Sequence, residues 1–378
     1  MEIDVNPALS RRQAIALMGS MVAMPIAATA APSASPAMHL LGAWQEADGS
    51  YRIGVLAAQA GGPSPLHVRQ VLEVPTRAHG LSQLPDGSVV ATARRPGDWL
   101  VRWHPGKPHA KPQWHWVDPT RSFNGHVIAS ADGRFLCTTE TDVDTGASLV
   151  ARRDARSLET AQEWATQGTD AHELIWAPAA KAGSPPALIV ANGGVPTAPE
   201  TGRTKRDLHT MDSSLVLLHG ESGEPLGQWR LPDQRLSLRH LAWNAQRTVL
   251  GIALQAEHDG AADKAAAPIL ALFDGQALRL CPASQSMAGY GGSIASTPEG
   301  WAVSCPRSQG VATFTPEGQW RGLVGLEEVC ALAVGNGRLW GAGVSQSLED
   351  MRSTSPLAHM HAKELAGARM DNHWVTFA

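Results

Sequence analysis

Four histidines recur at one place in a repeated pattern: His79, His126, His172 and His240 each open a short apolar run after a polar turn. The runs read AHGLSQLPDGSVVATA, GHVIASADGRFLCTT, AHELIWAP with ALIVA, and RHLAWNAQRTVLGIA. The steps between the histidines are 47, 46 and 68 residues, and a polar Gly/Pro/Thr-rich insertion between Asn192 and Ser214 accounts for most of the third step's excess. A period of about 45 residues with four short strands per unit predicts the blades of a β-propeller. Residues at one point of successive blades surround a common axis, so the pattern predicts a site as well as a fold.

The alignment extends through the rest of the chain. YGGSIASTPEGWAVSC puts Gly292 in the histidine's place, VCALAVGNGRLWGAG puts Cys330 there, and the final NHWVTFA puts His373 there after which only one strand remains. At the other end, HLLGAWQEA, SYRIGVLAA and VRQVLEVP read as three strands lacking an innermost one. Pairing the C-terminal strand with these three would remove the free edges. The expectation is an all-β fold, a seven-bladed β-propeller over residues 38–378, closed in that way. DG and NG pairs at Asp86-Gly87, Asp132-Gly133, Asp274-Gly275 and Asn336-Gly337 stand where blade hairpins should turn. Thirteen Trp supply bulky apolar area between blades. The net charge is −4 with no basic stripe, which argues against nucleic-acid binding.

Ser10-Arg11-Arg12-Gln13 precedes an apolar stretch from Ala14 to Ala27, and Ala28-Thr29-Ala30 offers small residues for a signal peptidase. Residues 1–30 therefore read as a twin-arginine signal peptide and 31–37 as a linker, which predicts export to the periplasm. The apolar stretch is too short for stable membrane insertion. Of the four cysteines, Cys137 falls mid-strand as packing, and an oxidising compartment permits pairing among Cys137, Cys281, Cys305 and Cys330 without fixing its connectivity. There is no CxxCH, so no c-type haem attachment is expected.

The innermost strand of a propeller blade lines the central channel. Five imidazoles and a thiol at one level would converge, and imidazole suits iron, copper, zinc and nickel. The candidate metal ligands are His79, His126, His172, His240, His373 and Cys330. A packing role competes, in which each imidazole donates to a neighbouring carbonyl. Arg77 and Arg239, just before their histidines, are candidates to hold an anionic ligand or cofactor. Loops between second and third strands should share this face: Arg94–Asp98, Glu140–Asp144, Gln255–His258, Pro306–Ser308 and the 192–214 insertion, which could serve as a lid. Glu173, in a regular strand, would alternate away from the channel toward the rim or the next blade. The His359/His361 pair reads first as exposed loop or outer strand.

The chain also resembles a family of bacterial periplasmic propellers that carry a domain of unknown function. The resemblance covers nearly the whole mature chain. It rests on RAHG at 77–80, RRPGDW at 94–99, NGHVIASADGRFLCTTE at 124–140, DAHELIW at 170–176, VANGGVPTAPETGR at 190–203, LRHLAWN at 238–244 and YGGSI at 290–294. Family members carry a twin-arginine leader and are often encoded beside imelysin-type iron-uptake proteins. They often have a His where this chain has Ala198, which speaks against a ligand role for the insertion here. The resemblance implies a periplasmic accessory of iron handling. More distantly, the histidine-ringed channel resembles the propeller of nitrous oxide reductase, where histidines hold a copper cluster; this chain lacks the second copper domain.

Three functions compete on these residues. One is a metal-binding accessory of iron or copper handling, with periplasmic iron-uptake proteins as partners. Another is a scaffold docking an imelysin-like protein through the lid and rim arginines. The third is a hydrolase or oxidoreductase with a small substrate in the funnel. A monomer is expected in each case.

Overall fold

The computed structural model describes residues 38–58, 66–179, 181, 183–197, 204–343, 346–349, 358–360 and 365–377. The expected signal peptide, linker and Ala198 lie outside these residues, as does His361. Among the described residues no helix is long and apolar enough to cross a membrane.

The fold is all-β, in the arrangement of a propeller. Five antiparallel sheets have four strands each, and their first strands are Ala78–Gln83, Arg121–Ala129, Ala171–Trp176, Leu236–Trp243 and Ile294–Thr297. Where seven separate sheets were expected, the described residues form six, because the last is eight-stranded. One half of it is Ala331–Gly335, Arg338–Ala342, Gln346–Glu349 and Ala358–Met360; the other is Arg369–Phe377, Met38–Gln45, Tyr51–Ala58 and Leu66–Val74. A single parallel pair, Leu332 with His373, joins the halves. First strands approach one another closely, and here two of them come within hydrogen-bonding reach. The C-terminal strand Arg369–Phe377 pairs antiparallel with Met38–Gln45, supplying the strand that the N-terminal segment lacked.

Local chemistry sets the hairpins. Gly87, Gly133, Gly275 and Gly337 all have positive φ, and each lies in a tight turn between consecutive strands. The preceding aspartates complete these turns: Asp86, Asp132 and Asp274 accept hydrogen bonds from backbone N–H groups two or three residues on.

Packing lies between the sheets. Trp99, Val89 and Val101 bury against Leu41, Ile53 and Val55 of the neighbouring sheet, and Cys137, Val150 and Trp164 against Leu174, Leu188 and Val190. The indoles also tie sheet to sheet: Trp176 donates to the Ala129 carbonyl at 2.7 Å, and Trp243 to the Trp176 carbonyl at 3.0 Å. Truncating a fully buried indole such as Trp99 should cost about 3–5 kcal/mol.

A candidate metal centre of five histidines

Each ring histidine sits where its first strand breaks register. Pairing skips between Ala78 and Leu81, Phe123 and Val127, Ala171 and Leu174, and Leu238 and Leu241, and these gaps contain His79, His126, His172 and His240. A fifth shift, opposite Gly42 and Trp44, falls between Met370 and Trp374 and contains His373. A bulge inserts extra residues, bends the strand and re-aims a side chain. A regular strand was expected at Glu173; the repeated bulge breaks that alternation and aims the imidazoles inward.

Glycines permit the close approach. A Cβ on Gly80 would meet the Gly125 carbonyl oxygen at 2.5 Å and the His126 Cα at 2.8 Å. Gly125 has φ +99°, a backbone conformation that an L side chain rarely adopts. The HG of RAHG and the GH of NGHV are therefore one packing device in two adjacent sheets.

The five imidazoles converge. Ring centroids of His79 lie 5.0 Å from His126 and 4.5 Å from His373; His126 lies 4.7 Å from His172, and His240 lies 4.8 Å from His172 and 4.5 Å from His373. His79, His126, His240 and His373 can each offer a nitrogen such that all four nitrogens lie within 4.8 Å of one another. Two contacts are closer: Nε2 of His172 stands 3.0 Å from Nε2 of His240, and Nε2 of His373 stands 3.3 Å from Nε2 of His79. The Nε2 of His126 is buried without a hydrogen-bond partner.

Burial holds these rings neutral. It depresses the pKa of His79, opposed by the Asp371 carboxylate, and depresses those of His126, His172, His240 and His373 well below 6.5, where neighbouring imidazoles add to it. Asp371 is buried and held far below the usual carboxylate range, against the cost of its burial, by His79 and the arginines nearby. It accepts a hydrogen bond from His79 Nδ1 at 2.7 Å and pairs with Arg77. An ionised carboxylate can only accept, so His79 carries its proton on Nδ1 and presents a lone pair on Nε2.

The candidate residues divide. The histidines come together; Cys330 does not join the group of four nitrogens and instead lines a neighbouring cavity of about 230 Å³ with Arg77, Glu328 and Asp371. The two arginines part company as well. Arg239 is buried beside the histidines and pairs with Asp170 at 3.0 Å, while Arg77 turns to Asp371. A cavity of about 20 Å³ is lined by His79, His172 and His240 together with Arg94, Arg95 and Arg239. Arg94 and Arg95 come from a loop expected on this face, whereas Gln255 lies within the strand Leu250–Ala256. Glu173 bridges to the next sheet, accepting from the Leu241 N–H at 2.6 Å, and one of its oxygens stands 3.9 Å from His126 Nδ1. Burial pushes its carboxyl up to about 8. The described part of the insertion crosses to a neighbouring sheet: Lys205 Nζ reaches both oxygens of buried Glu257, at 2.6 and 2.5 Å. The side chains of His359 and His361 lie outside the described residues.

Two acids were missed from the sequence. Asp371 precedes His373 by two residues, a spacing that could have flagged it. Asp170 precedes His172 by the same interval, and it pairs with both Arg95 and Arg239. Gly193 exists for that pair, since a Cβ there would meet Asp170 Oδ2 at 2.6 Å and Arg239 Cζ at 2.9 Å.

The cysteines Cys137, Cys281, Cys305 and Cys330 are all unpaired. The disulfides that an oxidising compartment would permit are thus not formed.

Fold and site together define a β-propeller with a buried histidine cluster on its inner strands. The family described as protein of unknown function (DUF1513) matches residues 72–377, and the chain belongs to it. No curated protein matches the chain. Among solved structures, the crystal structure of a nidogen/laminin complex is similar at 12% identity and a TM-score of 0.51, covering 90% of this chain and 98% of that one. A functionally unknown protein from Desulfotomaculum acetoxidans DSM 771 is similar at 12% identity and a TM-score of 0.49, covering 76% of this chain and 86% of that one. At such identity the nidogen/laminin likeness speaks for the fold alone.

Proposed function

We propose that this protein is a periplasmic accessory of iron or copper handling that binds the metal through His79, His126, His172, His240 and His373. One observation carries the reading: neutral imidazole nitrogens stand 3.0 and 3.3 Å apart in two pairs. Two nitrogens each about 2.0–2.1 Å from one ion lie about 2.9 Å apart at a right angle and about 3.3 Å apart at a tetrahedral one. Lone pairs at that distance repel unless a proton or a cation sits between them. The Asp371–His79 hydrogen bond has the form of the outer support that orients a ligating imidazole. Cys330 is a reserve ligand that would have to move inward. We read the eight-stranded sheet as two blades joined through Leu332 and His373, giving seven repeats around the axis. Residues 1–30 direct export.

Protein exported in its native host should carry metal in near-stoichiometric amount by elemental analysis, and His126→Ala/His172→Ala should lose it. Absence of metal together with unchanged binding in the double variant overturns the reading.

Glu173 favours a second reading, an enzyme of the hydrolase or oxidoreductase class, because a carboxyl with its proton affinity raised toward neutrality stands beside the cluster. It predicts turnover of lactones or quinols that Glu173→Gln abolishes while metal content persists. The Lys205–Glu257 strap favours docking of an imelysin-like protein on the same face. That docking should be lost in a variant deleted for 196–210.

A further inference from the structure

We propose that Arg94, Arg95 and Arg239 form a seat for a small inorganic oxyanion, of the bicarbonate or phosphate class, beside the histidine cluster. These three guanidiniums and three of the histidines line one cavity. Arg239 is 3% exposed, and its Nε has no hydrogen-bond partner. A buried guanidinium N–H left unmatched calls for an acceptor.

Charge points the same way. The single carboxylate of Asp170 is shared by Arg95 and Arg239. Of the other buried acids nearby, Asp371 is occupied by Arg77 and His79, and Glu257 by Lys205 and Lys264. An imidazole is neutral or cationic, so the histidines bring no negative charge to balance the arginines. A dication among the histidines would add positive charge in a site shielded from water, where uncompensated charge is costly. An anion bridging ion and guanidiniums removes that cost. The planar guanidinium fork matches two oxygens of an oxyanion better than a spherical halide.

Size narrows the class. A cavity of about 20 Å³ admits one or two waters or a small ion. An organic chelate needs a pocket of about 300 Å³ or more. The site therefore takes a bare ion with an inorganic partner rather than a metal wrapped in an organic ligand. The proposal rests on the metal reading only for the shared ion, since the arginines and their charge are there without it.

The test is calorimetric titration of the exported protein, stripped of metal with chelator, at constant ionic strength. Separate arms use bicarbonate, phosphate and chloride. Saturable one-to-one binding of bicarbonate or phosphate, with chloride inert, is expected, and the stronger arm identifies the anion. Arg239→Gln should weaken it about tenfold or more, as loss of a charge-assisted hydrogen bond does. Arg94→Gln, at a half-buried position, gives a second readout should the Arg239 variant not fold. In copper-loaded protein the same anion should shift the electron paramagnetic resonance spectrum. Equal response to chloride, no saturable binding in either form, or unchanged affinity in the Arg94 variant overturns the proposal. Failure of the metal reading shows separately, as protein without metal that still binds the anion.

Discussion

Asp371 and His79 stand 292 positions apart in the chain and share a 2.7 Å hydrogen bond at its centre. The carboxylate comes from the C-terminal strand and the imidazole from the strand Ala78–Gln83, so strands far apart in the chain meet at the site. Asp371→Asn should keep the shape and lose the charge that settles the His79 tautomer. Metal affinity should fall about 10–100-fold, as for outer-shell partners generally. Competition against a chromogenic chelator measures it.

The metal-free protein should be most stable near neutral pH and lose stability on both sides of it. The five ring histidines have pKa values below the ordinary 6.5, so below that pH the unfolded chain binds protons that the folded one refuses. Their contribution is complete above 6.5 and is lost as pH falls toward the depressed values, at up to about 1.4 kcal/mol per pH unit for each group. Glu173 works oppositely. Its carboxyl is raised to about 8, so its contribution is complete below 4.5 and is lost as pH rises through 8. Below pH 6.5 five groups outweigh one. Thermal melts from pH 5 to 9 should show both slopes, and Glu173→Gln should flatten the alkaline one only.

Gly193→Ala should destabilise by about 1–3 kcal/mol, the usual cost of forcing a methyl into a filled site. The new Cβ would crowd the Asp170–Arg239 pair. A melting temperature lowered by several degrees, with oxyanion binding weakened in parallel, is the expected result. A thermal shift assay with bicarbonate titration reports both.

Lys205→Ala should release the strap over Glu257 at modest cost to global stability, because Lys264 remains 3.8 Å from the same buried carboxylate to balance its charge. Hydrogen exchange at residues 204–213 should quicken by about an order of magnitude, as expected when a local closing contact is removed. Faster metal release from loaded protein should accompany it.

All four thiols should titrate in denatured protein without reductant, since none is paired. In the native state they should react slowly. Burial raises the Cys137 and Cys305 thiols to about 12 and Cys330 to about 11, so little thiolate is present at neutral pH. A time course with a thiol reagent separates the two states.

Much of this molecule was legible in order along the chain. Alternating apolar runs and DG or NG turns are local signals, because strand pitch and positive φ depend on a few neighbouring residues. They were enough to predict propeller units, and they placed His79, His126, His172, His240 and His373 at equivalent points. Cys330 occupied an equivalent point too, yet it faces another cavity, because alignment gives position along a strand and not the aim of a side chain. That aim comes from the bulges at each histidine, which depend on how one strand pairs with the next. The joined eight-stranded sheet and the service of Asp371 to His79 and of Asp170 to Arg239 depend on contacts between residues far apart in sequence. The sequence by itself determined the repeat and the chemistry available at its centre. Only the tertiary structure decided which groups meet, because burial and charge pairing act through space, and a one-dimensional period carries no distance across the axis.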